Sequence, residues 1–168
     1  MANINNDETQ RGIFMIKVSG KEFGDYADIK ELREKAVTYY ATRLQGVSVE
    51  NENLKKISID KNGIVNFTNS GKKKMKNSSA KVHKLLIIKY LPELIRNATD
   101  ISDKQSVKLT HKKEHFYYLH TMVSVEEKAI PVEITVIRRN NGEIQYYNHT
   151  LPTEEYKKDA VVSTEPVL

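Results

Sequence analysis

His120 and His149, with Glu133 and Arg139 between them in the chain, are the residues whose types could carry chemistry. Imidazole titrates near neutral pH, so two histidines can act as the acid and the base of a proton-transfer pair. A carboxylate such as Glu133 can take either role, and a guanidinium offers a planar fork to phosphate oxygens. Tyr147 and Thr150 add hydroxyls beside them, and Tyr118 adds a ring that can stack on a base. Metal-independent cleavage of RNA needs this kind of set. It takes a base for the 2′-hydroxyl, an acid for the leaving 5′-oxygen, and donors for the charge that grows on the phosphate.

Strands must position these groups. The stretch 114–150 reads as EHFYYLHTMVSV, AIPVEITVIRR and EIQYYNHTL, three strands joined at Glu126-Glu127-Lys128 and at Asn140-Asn141-Gly142. Asn-Gly supplies the positive backbone dihedrals that a tight hairpin needs. Alternation then predicts two faces. Leu119, Val123, Val132, Ile134, Val136 and Ile144 fall on a core face. Tyr118, His120 and Met122 fall on the other, with Glu133, Thr135, Ile137 and Arg139, and then Gln145, Tyr147 and His149. The second face is too polar for a core and is expected to lie open.

A basic segment accompanies that face. Eight lysines and no acidic residue lie between Lys61 and Pro92; taking them from the total of 27 basic residues leaves 19 against 22 acidic ones. The net charge of +5 is therefore segregated rather than spread, as expected of a surface that meets a polyanion. Lys72, Lys73, Lys74 and Lys76, followed by Lys81, His83 and Lys84, are the candidate phosphate contacts. Such contacts give salt-dependent affinity without sequence choice.

Along the rest of the chain, residues 1–12 read as a disordered lead and GIFMIKVSG as a short strand. Asp28, with Glu31 three residues on, caps a helix expected over about 29–44, which Gly46 stops. KKISID and IVNFT read as a small hairpin turning at Lys61-Asn62-Gly63. A second helix runs from about Ala80 and breaks at Pro92, ending near Ala98, and VKLT is the next strand. The fold expected is α+β: helices packed on one face of a four-stranded antiparallel sheet, preceded by a short strand or hairpin. One domain spans 13–151, and residues 152–168 read as a tail or linker.

Several classes of function drop out. The chain has no cysteine, which removes disulfides, thiolate metal sites and cysteine catalysis. No apolar run has the length of a membrane span, and no membrane contact is expected. The first twelve residues lack the layout of a signal peptide, and the expected site of action is the cytoplasm. His111 and His115 stand four apart but lie on strand and turn, so no metal is assigned to them. Phosphate loops, nucleophile elbows and dinucleotide fingerprints do not occur, and no cofactor is expected.

The runs VSGKEFGDYADIKELREKAVTYY, ISIDKNGIVNFTNSGKKKM, KLLIIKYLPELIRNA and FYYLHTMVSV, with PVEITVIRRNNGEIQYYNHTL, resemble one domain type. It is the barnase/EndoU/colicin D/RelE-like nuclease superfamily, in the branch found within large polyvalent proteins of phages and other mobile elements. The resemblance covers residues 13 to 151. It implies a toxin or effector that binds RNA, tRNA or another host RNA, on an open sheet face and cuts it by transesterification without metal. It implies His120, Glu133, Arg139, Tyr147, His149 and Thr150 as the strand residues at the catalytic positions, and a cognate immunity protein or antitoxin as partner. Two other readings stay open. One is a non-catalytic nucleic-acid-binding module; the other is a protein-interaction module within a phage or mobile-element polyprotein.

Overall fold

A computed structural model describes residues 15–64, 78–105 and 115–151. Its elements are β1 (Ile16–Val18), α1 (Ile29–Tyr39, continued by a π turn, Tyr40–Leu44), β2 (Ser48–Asn51) and β3 (Lys55–Ser58). Next come α2 (Ser78–Leu86), a 3-10 turn (Ile87–Tyr90), α3 (Leu91–Asn97) and β4 (Asp100–Gln105). Three long strands close the series: β5 (His115–Val125), β6 (Lys128–Arg138) and β7 (Ile144–Thr150).

The meander forms where alternation predicts it. β5 and β6 pair antiparallel from His115↔Arg138 to Val125↔Lys128. Glu126 and Glu127 turn the corner at φ of 52° and 66°, the left-handed pair that matches a two-residue hairpin to strand twist. At the second turn only Gly142 is left-handed, at φ 92°. The Gly142 amide donates to the Arg139 carbonyl at 2.9 Å, and the Arg139 amide donates to Glu143 at 2.8 Å. Three residues, rather than two, make that loop.

The sheet itself differs from the expectation. Among the described residues it has seven strands, not four, and it is mixed, curling into a half-barrel. Its order is β1-β5-β6-β7-β3-β2, and β4 also pairs with β5. β1 runs parallel to β5 through Ile16↔Val123, and β3 runs parallel to β7 through Ile57↔Ile144. A four-stranded antiparallel sheet with helices on one face is thus overturned by two parallel closures and by the β2–β3 hairpin added at one edge. Those closures join residues far apart in the chain, and no local pattern announces them.

Two local expectations move with the sheet. β3 pairs backward with β2, Val49 facing Ile57, so the hairpin turns at residues 52–54. Asn62–Ile64 form a helical turn instead. β4 takes its residues from 100–105, read from sequence as a polar connection; VKLT itself, like the lead and the tail, lies outside the described residues.

The helix reading holds closely. Asp28 accepts from the Glu31 amide at 2.9 Å, and Glu31 reaches back to the Ala27 amide at 3.0 Å, satisfying donors that a helix start leaves open. Leu32, Ala36, Tyr40 and Leu44 are buried along one side. Pro92 stands in the first turn of α3, where its missing N–H costs nothing. Leu91, Leu94 and Ile95 are buried, and α3 packs against β2 and β5. Asn51, 2% exposed, fixes that junction: its Nδ2 donates to the carbonyls of Ile95 and Ala98, and its Oδ1 accepts from the amides of Asn53 and Leu54.

Candidate active face

Register decides which side chains share the open face, because directly paired residues project to the same side. A row crosses four strands there. Asp100 of β4 pairs with His120 of β5, His120 with Glu133 of β6, and Glu133 with Thr150 of β7. His120 Nε2 and Glu133 Oε2 are 3.1 Å apart, with side chains 36% and 38% exposed. The next row holds Ser102, Tyr118, Thr135 and Asn148. Burial lifts the Tyr118 phenol above its usual pKa, and the nearby Glu133 carboxylate and Tyr147 phenol add to the lift. Tyr118 thus stands between the His–Glu pair and Tyr147.

β7 does not alternate as expected. The ladder matches Thr135 with Asn148 but Val136 with Tyr146, so Tyr147 is an extra residue in a bulge. A bulge shifts the side-chain period by one. Tyr147 stays on the open face, its ring meeting Phe116 edge-on with centroids 5.3 Å apart. His149 is carried to the opposite face and is 0% exposed. It therefore leaves the face on which alternation placed it.

In the core, both ring nitrogens of His149 are engaged. Its Nε2 lies 2.8 Å from the Lys84 carbonyl and its Nδ1 lies 2.6 Å from the Tyr146 hydroxyl. A carbonyl only accepts, so Nε2 carries the proton and Nδ1 accepts from Tyr146. Burial, with the Lys84 ammonium nearby, pushes the His149 pKa down to about 3, against the smaller pull of its bond to the Lys84 carbonyl. A neutral imidazole with both nitrogens engaged is a brace. Lys84 is itself 2% exposed, and burial lowers its pKa to about 8. Tyr146 packs beside Tyr40, whose hydroxyl donates to the Asp60 carbonyl, and Gly63 fits between the two rings.

The other expected groups separate. Arg139 shares the open-face parity of Glu133, but six residues of strand put it about 20 Å away; its Nε donates to Gln145 Oε1 at 3.0 Å. Lys84 lies on the core side with α2, and His83 on the same helix is half-buried, its pKa lowered by that burial. Lys81 is also half-buried on α2. Lys72, Lys73, Lys74 and Lys76, with His111, lie outside the described residues.

Two features went unread in the sequence. Phe116 was not singled out, although its spacing of two from Tyr118 marks the same face. The change of face in β7 had a signal in Leu151, a buried apolar residue in phase with His149 and out of phase with Ile144, the core-face residue at the start of the strand. Among the described residues no group of three or more His, Cys, Asp or Glu is placed to hold a metal. A depression of about 850 Å³ lies along α1, between Phe23, Lys30, Glu34 and Arg43. Its wall is mostly the charged side of α1, with Phe23 and Tyr39 beside it, and its lining holds no histidine.

The protein is thus an α+β domain in which a curled mixed sheet presents a polar face crossed by a His–Glu pair. The chain belongs to the family of large polyvalent protein-associated domain 3, whose model matches residues 27–147. That span runs from the cap of α1 to the bulge in β7. No curated protein and no solved structure matches the chain. No helix among the described residues is long and apolar enough to cross a membrane.

Proposed function

We propose that this polyvalent-protein domain acts on RNA and cleaves it by acid–base transesterification at His120 and Glu133. One observation carries the reading: an imidazole and a carboxylate, in direct register on adjacent strands, meet at 3.1 Å on an accessible sheet face. Glu133 takes the proton of the ribose 2′-hydroxyl, whose oxygen attacks the adjacent phosphorus. Protonated His120 gives a proton to the 5′-oxygen as its bond to phosphorus breaks. The products are a 2′,3′-cyclic phosphate and a free 5′-hydroxyl, and no outside oxidant or reductant enters. To act on one phosphate the two side chains must part, the ribose hydroxyl and leaving oxygen replacing their mutual hydrogen bond.

Thr150, beside Glu133 in the row, and Tyr118 in the next carry hydroxyls that can donate to the phosphate oxygens as charge grows on them. His149 enters as the buried support of β7 rather than as an acid. The test is incubation of the purified protein with total RNA and with tRNA in EDTA, beside His120→Asn and Glu133→Gln. Cleavage with cyclic phosphate ends, reduced about 10²- to 10⁴-fold in either variant, is expected. Intact RNA with the unaltered protein, or undiminished cleavage in both variants, would overturn the proposal.

A further inference from the structure

Resting on that reading, we infer that the open face is a track for single-stranded RNA along β5. One base stacks at Tyr118 and the next at the Tyr147–Phe116 pair, and duplex RNA is refused. The spacing of the stations carries this. Phe116, Tyr118 and His120 follow one another at two-residue steps on the same face of β5. At a strand's rise these steps are about 7 Å, roughly twice the ~3.4 Å between stacked bases of one nucleic-acid strand. A strand that matches them has been drawn out of its own stack, and its bases gain by stacking on protein rings instead. A duplex cannot open its steps in this way without losing base pairs.

The bulge supplies the second station. By adding Tyr147 without turning it into the core, it brings a ring against Phe116 at 72° between planes, so that each holds the other's orientation. Ile137 pairs with Phe116 on this side of the sheet and is 0% exposed, an apolar floor beneath the rings.

Arg139 then gains a place. Held by Gln145 at the far end of the face, it is about 20 Å from Glu133, three stations along. It is too far for the scissile phosphate and well placed for one about three nucleotides away. Two carboxylates border the track: Asp100 pairs with His120 near the site of chemistry, and Glu143 lies 3.4 Å from Gln145 Nε2 at the Arg139 end. Neither occupies the aromatic stations.

The probe is a 2′-O-methyl octaribonucleotide, which lacks the attacking hydroxyl, so binding is read apart from cleavage. Fluorescence anisotropy should show the single strand binding at least tenfold more tightly than the same sequence annealed into a duplex. Tyr118→Ala and Tyr147→Ala should each weaken it about 5- to 100-fold, while Tyr118→Phe and Tyr147→Phe retain it. Arg139→Gln should weaken binding and lower the salt slope by about one charge. Equal binding of the duplex, no binding of the single strand, or unchanged affinity in Tyr147→Ala would overturn the track. Aromatic-dependent binding by a protein that leaves RNA intact would remove the cleavage reading and keep the track. Cleavage with binding indifferent to the aromatics would do the reverse.

Discussion

Tyr146 donates its hydroxyl to Nδ1 of His149 at 2.6 Å, although the two residues are three apart on one strand. In a regular strand that spacing sends side chains to opposite faces. The bulge at Tyr147 makes the contact possible, and the same contact holds the bulge in place. His149 thereby ties β7 to the Lys84 carbonyl of α2.

Removing that tie should be costly. His149→Ala leaves a buried hydroxyl and a buried carbonyl without this partner, and opens a cavity among Tyr146 and its neighbours. The expected loss is about 3–5 kcal/mol of unfolding free energy. Urea denaturation would read it, and a loss under about 1 kcal/mol would show that the core closes over the gap.

Stability should also fall in acid for a reason specific to this imidazole. The folded-state pKa of about 3 lies below the ordinary 6.5. Between those values the unfolded chain binds a proton that the folded chain refuses. Stability from this group is therefore full above about pH 6.5 and declines as pH drops toward 3, with a slope of up to about 1.4 kcal/mol per pH unit. Lys84, lowered from 10.5 to about 8, behaves in the same sense at higher pH; stability should rise from pH 8 toward 10.5. Comparing pH series for the unaltered protein and His149→Gln isolates the acid limb, which should flatten in the variant.

Gly63 has a requirement of space. A Cβ there would collide with the Tyr40 hydroxyl and with the Tyr146 ring, whose Cδ2 would lie 2.6 Å away. Both rings are buried, so neither can swing clear. Gly63→Ala should cost about 1–3 kcal/mol, and Tyr40→Phe in the same chain should recover part of it. Thermal melts of the single and double variants would show whether the two changes are coupled.

Asn51 offers a test of polarity. Asn51→Asp keeps the acceptor for Asn53 and Leu54 but replaces the amide donor with a carboxylate facing two carbonyls at the end of α3. The charge is opposed by the helix dipole as well. Asn51→Asp should therefore destabilise at least as much as Asn51→Ala, by about 2–4 kcal/mol. A milder effect in the aspartate variant at pH 7 would contradict the donor assignment.

What could be read from the chain follows the range of the interactions. The cap at Asp28, the stop at Gly46, the start of α3 at Pro92 and the two faces of β5 and β6 are local. They follow from periodicity and capping chemistry. The place of β1 beside β5 and of the β2–β3 hairpin beside β7 depends on pairing between distant parts of the chain, and β4 is polar enough to pass for a connection. On the candidate face, His120 and Glu133 were legible because two long alternating strands share one hairpin. His149 was misplaced because one inserted residue, Tyr147, reverses parity, and an alternation rule carries no allowance for it. Arg139 lies on the expected side, but a face is longer than a site.

β5 is flanked on one side by two short strands from different parts of the chain, β4 along its first half and β1 along its second. The β5–β6–β7 meander closes short loops and can assemble early, whereas β1 must find a partner roughly a hundred residues away, at a cost in loop entropy that slows folding. Pulsed hydrogen exchange during refolding should accordingly protect β5 and β6 amides before those of β1. On a ribosome the order becomes a wait: Ile16 emerges early, yet its place in the sheet does not exist until Val123 has been made. Until then β1 stays without its partner while most of the domain is still being synthesised.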